Sequence, residues 1–108
     1  MKFDINSVLA DMLSAIKGSV GDNWEKVKPI ADQFLQHNKE RLKLLAELRI
    51  MGELSQEKFE SRLLDEKLIA EAELNAVAVI SKAMAQKAAN AAMEVVGKAV
   101  TTAISAAL

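Results

Sequence analysis

The sequence predicts an all-α fold in a single domain of 108 residues. Apolar residues recur at helical spacing along the whole chain, and one Pro and four Gly are the only strong helix breakers. Aromatic residues, which β-sheets favour, make up only 4%. We expect a long antiparallel helical hairpin that assembles as an oligomeric helical bundle. Its first arm is residues 1–51, its turn is 52–55 and its Ala-rich second arm is 56–108.

The first arm begins with a helix that Asn6 or Ser7 is expected to cap. Apolar residues then repeat on one helix face, at Val8, Leu9, Met12, Leu13 and Ile16. Two Gly follow within four residues, at Gly18 and Gly21. We therefore expect a break near residues 18–22.

A second helix is expected to follow this break. Asp22 with Glu25 three positions later has the pattern of a capping box. The apolar stripe that follows consists of Trp24, Val27, Ala31, Phe34, Leu35, Leu42, Leu45 and Leu48. Because Pro29 lacks a backbone donor, it predicts a kink near residue 29 or a fresh helix start near Lys28. Trp24 is expected to belong to the core.

The turn between the two arms carries the clearest local signal. Gly52 can adopt the left-handed conformation that ends a helix. Ser55 can cap the next helix. Leu54 before this cap and Phe59 within the first turns have the spacing of a hydrophobic staple.

Residues 42–64, which contain this turn, resemble the SHOCT (short C-terminal) helical hairpin. The matching positions follow a Leu-rich helix and are Gly52, Leu54, Ser55, Glu57, Phe59, Arg62, Leu63 and Leu64. That family is associated with oligomerisation, so the resemblance implies self-association. The resemblance covers about a fifth of the chain. A SHOCT module usually lies at the C-terminus of its protein, whereas more than 40 residues follow the matching segment here.

The second arm has no Gly or Pro between Gln56 and Val96, and its Ala content rises along its length. We expect one helix from about residue 56 to beyond residue 96. At ~1.5 Å per residue, 50 helical residues span about 75 Å, which is too long for a globule built from this chain alone. The alternative is a compact three- or four-helix bundle in which the last segment breaks near Asn90 or Gly97.

Residues 76–108 are apolar or small on nearly every side, and 12 of these 33 residues are Ala. Their polar residues form one narrow stripe of Lys82, Gln86, Asn90, Glu94, Lys98 and Thr102. A helix that is apolar almost all round must be buried, and one partner arm cannot cover it. We therefore expect an interface between copies formed by Val77, Ile80, Met84, Ala85, Ala88, Ala89, Ala92, Val96, Ala99, Val100, Ala103 and Ile104.

The expected partner is the protein itself, as a closed coiled-coil-like bundle or an open filament. Residues 1–75 carry a net charge of −3 and residues 76–108 a net charge of +2, which favours staggered contacts between copies. Another protein could cover the same helix instead. A membrane is favoured less, because Ala contributes little transfer free energy and no aromatic residue marks an interface there. With an overall charge of −1 and no basic block, nucleic acid is not expected.

No constellation of residues points to catalysis, a metal or a cofactor, so a non-enzymatic structural or interaction protein is expected. There is no Cys, and His37 is the only His, which excludes thiolate and multi-histidine metal sites. No Gly-rich phosphate loop is present. The N-terminus has no apolar run typical of a secretory signal, which favours the cytoplasm or export without a cleaved signal peptide.

Overall fold

The computed structural model of this protein describes residues 3–76 and 80–107. Throughout these residues the regular structure is helical, without a strand. Four α-helices follow one another there as α1 (Ile5–Val20), α2 (Trp24–Ile50), α3 (Gln56–Asn75) and α4 (Lys82–Ala107). A single 3-10 turn, Gly21–Asn23, connects α1 to α2. The predicted all-α class is confirmed.

The four helices pack into one compact bundle. Each helix contacts the next along the chain, α1 packs most extensively against α4, and α2 also touches α4. The bundle measures 43 × 22 × 20 Å and has a radius of gyration of 13.7 Å. This radius is close to the ~13 Å of a compact domain of 100 residues. The long axis matches the length of α2 or α4 alone.

The unbroken second helix expected beyond residue 56 is wrong. α3 ends at Asn75, and α4 begins at Lys82. Ser81 caps α4: its hydroxyl accepts from the Met84 N–H at 3.1 Å, and its carbonyl accepts from the Ala85 N–H at 2.9 Å. A serine that satisfies the first free N–H groups can start a new helix without Gly or Pro. The alternative bundle also misplaced the break, since Asn90 and Gly97 both lie within α4.

The N-cap of α1 lies earlier than predicted, two residues before Asn6 and three before Ser7. Asp4 is the N-cap, accepting from the Asn6 N–H at 3.0 Å and from the Ser7 hydroxyl at 3.1 Å. The helix begins earlier because Ile5 belongs to the buried stripe and is itself buried. At the other end α1 continues through Gly18, and Gly21 ends it with a φ of 56°.

The predicted capping box at the start of α2 is also wrong. Asp22 lies in the 3-10 turn, and the N-cap is Asn23, whose side chain makes no cap hydrogen bond. Instead, the Asn23 amide donates to the Val20 carbonyl at 3.4 Å and towards the Met84 sulfur at 3.8 Å. α2 continues through Pro29, and no new helix begins near Lys28. Pro29 is the sixth residue of α2, so its missing N–H removes one backbone hydrogen bond close to the start of the helix.

The turn between α2 and α3 confirms its predicted features. The Glu53 N–H donates to the Leu48 carbonyl at 2.9 Å and the Gly52 N–H to the Arg49 carbonyl at 3.1 Å, which is the Schellman pattern. Gly52 has a φ of 80°. The Ser55 hydroxyl accepts from the Lys58 N–H at 3.2 Å, and both residues of the hydrophobic staple are buried.

All four helices contribute buried apolar side chains to one continuous core. Trp24 is half-buried and packs against this core, as expected. Leu54 from the turn also joins it. Its largest fully buried side chains are Met12, Ile16, Val20, Val27, Leu35, Leu42, Phe59, Leu74, Val96 and Val100.

Two Gly→Ala substitutions are predicted to change stability in opposite directions. A Cβ added at Gly52 or at Gly18 would meet no atom within 4 Å, so only backbone preference differs between the two sites. Gly52→Ala should lower the free energy of unfolding by about 1–2 kcal/mol because of its positive φ. Gly18→Ala, inside α1, should raise it by about 0.5–1 kcal/mol. Urea unfolding followed by circular dichroism measures both, and an equal effect at the two sites would contradict the turn geometry.

Candidate interaction surface

The residues predicted to lie between copies lie between helices of a single chain. Val77 falls outside the described residues. Met84, Ala99 and Ile104 are half-buried and pack against the core. The others are buried in the same chain, namely Ile80, Ala85, Ala88, Ala89, Ala92, Val96, Val100 and Ala103.

The chain therefore covers its Ala-rich helix by itself. α4 is flanked by α1 and α3 and is also touched by α2, so three helices rather than one arm supply the cover. Its polar stripe from Lys82 to Thr102 is exposed at every four-residue step, as the sequence predicts. Other copies of the chain need not supply apolar area to this helix, because its own neighbours already provide it.

Substitution with Glu on the two sides of α4 tests this arrangement. Ala89 has no exposed surface, so Ala89→Glu buries a charge among apolar side chains and should destabilise the fold by more than about 3 kcal/mol. Ala83 is exposed in the first turn of the same helix, and Ala83→Glu should change stability by less than about 0.5 kcal/mol. Thermal unfolding at low protein concentration distinguishes them, and a fully stable monomeric Ala89→Glu variant would contradict the burial of α4.

A polar network joins α2 to α3 at the edge of the core. The Arg41 guanidinium donates to both carboxylate oxygens of the buried Glu66, with 2.9 Å between Nη2 and Oε2. The same Nη2 donates to the amide oxygen of buried Asn38, whose nitrogen donates to the Phe34 carbonyl at 2.8 Å. The hydrogen bond to Glu66 raises the pKa of Arg41. Each polar group is satisfied, so the network fixes α3 against α2.

Removing the cation of this network should cost stability. Arg41→Met leaves the Glu66 carboxylate buried without its cation, and we expect a loss of about 1–3 kcal/mol in the free energy of unfolding. Arg62→Met removes an exposed cation from α3 and should cost under about 0.5 kcal/mol. The double variant Arg41→Met/Glu66→Met should be more stable than Arg41→Met alone, since no unpaired charge remains. Denaturant unfolding of the wild type and the three variants measures these free energies of unfolding. Equal losses for Arg41→Met and Arg62→Met would show that the network does not stabilise the fold.

α3 is apolar on two opposite sides. One side packs into the core through Phe59, Ala70 and Leu74. The other carries Leu64 and Leu68, one helical turn apart, with 52% and 53% of their surface exposed. We call this pair the α3 ridge. Because the two leucines lie one helical turn apart, their exposed surfaces adjoin each other along the helix.

Two grooves flank the α3 ridge. The groove between α3 and α4 has a volume of about 720 Å³, with Phe59, Leu63 and Met93 among its apolar lining. Charged residues also line it, at Glu60 and Lys67 on α3 and at Glu94 and Lys98 on α4. The groove between α2 and α3 is smaller, at about 220 Å³, and is lined by Leu44, Leu45, Leu48, Leu54, Arg41, Arg62, Asp65 and Glu66. Leu64 itself lines the larger groove, so the ridge borders that groove and adjoins the smaller one across α3.

The sequence contained a signal for the α3 ridge, but the interface was predicted from the apolar periodicity of residues 77–104. Leu63 and Leu64 are adjacent and point about 100° apart around the helix, so a stripe centred on Phe59 and Leu63 leaves Leu64 at its edge. Leu68 repeats the second of them one turn later. Leu64 and Leu68 therefore indicate a second apolar strip on this helix, and neither was among the residues expected at the interface between copies.

Across 3–76 and 80–107, no three carboxylate or His side chains come together in a way that could hold a metal ion. His37 is exposed on α2. Among these same residues, none of the helices is long and apolar enough to cross a bilayer.

Comparisons with protein-family models, with curated proteins and with solved structures find no significant match to this chain.

Proposed function

We propose that this protein is a non-enzymatic interaction module that associates with further copies of itself through the α3 ridge. The observation that carries the proposal is the exposure of Leu64 and Leu68 on a helix whose opposite side is already buried. Helix α3 is an outer element of a closed core, yet it has a second apolar strip. A second layer packed on that strip would remove both leucines from water.

The apolar gain at the ridge supports at most a weak and reversible complex. Fully burying a Leu side chain contributes roughly 1.5–3 kcal/mol, and each ridge leucine is already about half covered. A pair of ridges would therefore recover a few kcal/mol, from which the loss of translational and rotational freedom must be subtracted. We expect reversible self-association no tighter than the high-micromolar range and detectable at about 1 mM protein.

The resemblance of residues 42–64 to an oligomerisation hairpin supports the same surface. This segment contains Leu64 and the turn that sets the direction of α3. Association through the α3 ridge leaves the α4 core closed, so the chain need not open to assemble. A filament or a closed ring would need a second contact in addition to the ridge.

Matched double variants test the proposal. Leu64→Gln/Leu68→Gln removes the ridge, whereas Leu44→Gln/Met51→Gln removes two side chains of similar exposure, at 57% and 55%, from α2 and its end. Sedimentation equilibrium from about 10 μM to about 1 mM should show self-association of the wild type and of the α2 variant, and at least tenfold weaker association of the ridge variant.

Three results would overturn the proposal. The first is a wild-type protein that stays monomeric across the whole range. The second is equal weakening by both double variants, which would mean that exposed apolar area in general, and not the ridge, causes association. The third is a monomer that co-sediments with vesicles of neutral and anionic phospholipid through the ridge, which would assign these leucines to a membrane surface instead.

A further inference from the structure

Charged side chains flank the α3 ridge on both sides. On the helix surface, Glu60 and Lys67 lie on the side of the α4 groove, which they line. Asp65 lies on the other side, at the α2 groove, and Lys58 is two turns before it on the same side. The ion pair recorded among the described residues is Arg41–Glu66, so none of these four charges is held within salt-bridge distance in the monomer. Glu60 accepts a hydrogen bond from the Gln56 side-chain amide through Oε1 at 3.0 Å, and its Oε2 is the oxygen open to a partner.

These positions match the heptad arrangement of a two-helix contact. With Ser61 and Leu68 at a positions and Leu64 at d, the flanking e and g positions are Lys58, Glu60, Asp65 and Lys67. Residues at e and g meet across a helix pair and set its orientation. In an antiparallel pair g meets g and e meets e, whereas in a parallel pair g meets e.

Three pairings of two α3 ridges can be compared by these charges. A parallel pair places Glu60 opposite the partner's Asp65, which is repulsive. An antiparallel pair centred on the leucines places Lys67 opposite the partner's Lys67 and Asp65 opposite the partner's Asp65, which is also repulsive. An antiparallel pair shifted by one heptad places Glu60 opposite the partner's Lys67 and Lys58 opposite the partner's Asp65. Only the shifted pair brings opposite charges together on both sides.

We propose that the occupant of the α3 ridge is the ridge of a second copy, in this shifted antiparallel arrangement with twofold symmetry. The inference rests on the self-association proposed above and specifies its geometry. Leu64 then lies beside the partner's Leu64 across the twofold axis and over the partner's Ser61. Leu68 lies over the partner's Glu57 and packs on the carbon atoms of its side chain. The shift gives up the direct Leu64–Leu68 contact of the centred pair and replaces its like-charge contacts with four opposite-charge pairs.

The interface is small and salt-sensitive. Two helices of 20 residues in side-by-side contact bury less than the ~1,200–2,000 Å² typical of stable complexes. The charged pairs lie at its solvent-exposed edges, where salt screens them within ~10 Å at 0.1 M. Association should therefore weaken as salt is raised. The centred pair, with its like charges, predicts that association strengthens with salt.

Charge reversals at Glu60 and Lys67 test the arrangement. Glu60→Lys alone should weaken self-association about tenfold at low salt, because two attractive pairs become repulsive, and Lys67→Glu alone should do the same. An equimolar mixture of the two variants should regain the wild-type affinity, since each mixed pair again has opposite charges at both contacts. Lys26→Glu is the control for Lys67→Glu, because it makes the same charge change at an exposed site on α2 and should leave association unchanged. Sedimentation equilibrium at 20 mM and 300 mM NaCl measures all of these, and circular dichroism verifies that each variant is folded.

The results separate the two proposals. If Glu60→Lys leaves association unchanged, or if the mixture is no stronger than either variant alone, the shifted arrangement is overturned. If Leu64→Gln/Leu68→Gln nevertheless abolishes association, the proposal of self-association through the ridge stands and only the shifted antiparallel geometry is wrong. A wild-type protein that never associates overturns both proposals.

Discussion

The fold depends on how closely α4 can approach its neighbours, and small side chains set that approach. Ala85, Ala88, Ala89 and Ala92 are fully or almost fully buried, and Ala103 continues the same side near the end of the helix. With only a methyl group at these positions, the backbones of α1 and α3 can lie near that of α4. The larger Val96 and Val100 then fill the space beside them. A chain with few aromatic residues builds a dense core in this way, from many small contacts rather than a few large ones.

This packing explains why the chain is compact despite its long apolar segment. An apolar helix can be covered by copies of the chain or by several helices of the same chain, and the composition of residues 76–108 is the same in both cases. What distinguishes them is that α3 ends at Asn75 and α4, which begins at Lys82, packs against it. Ser81 supplies the cap that α4 needs to begin there. The Arg41–Glu66 pair adds a polar contact between α2 and α3 at the edge of the shared core.

The sequence predicted what depends on local chemistry and missed what depends on the path of the chain. The all-α class, the left-handed Gly52, the Ser55 cap and the exposed polar stripe of α4 follow from neighbouring residues and are confirmed. The caps at Asp4 and Ser81 were missed because several nearby polar residues could cap equally well, and tertiary burial selects among them. The break after Asn75 was missed because neither Gly nor Pro marks it. The α3 ridge was missed because it becomes an outer surface only once the opposite side of the helix is known to be buried.

Hydrogen exchange of the α4 amides at different protein concentrations tests the central claim most directly, namely that one chain encloses its own Ala-rich helix. At about 1 μM, where weak self-association is absent, we predict strong protection of the amides from Ala85 to Val100, equal to the protection measured at about 500 μM. Amides in α3 around Leu64 should gain protection as the concentration rises. If the α4 amides exchange freely at about 1 μM and become protected only when the protein associates, the helix is buried between copies and a single chain does not enclose it.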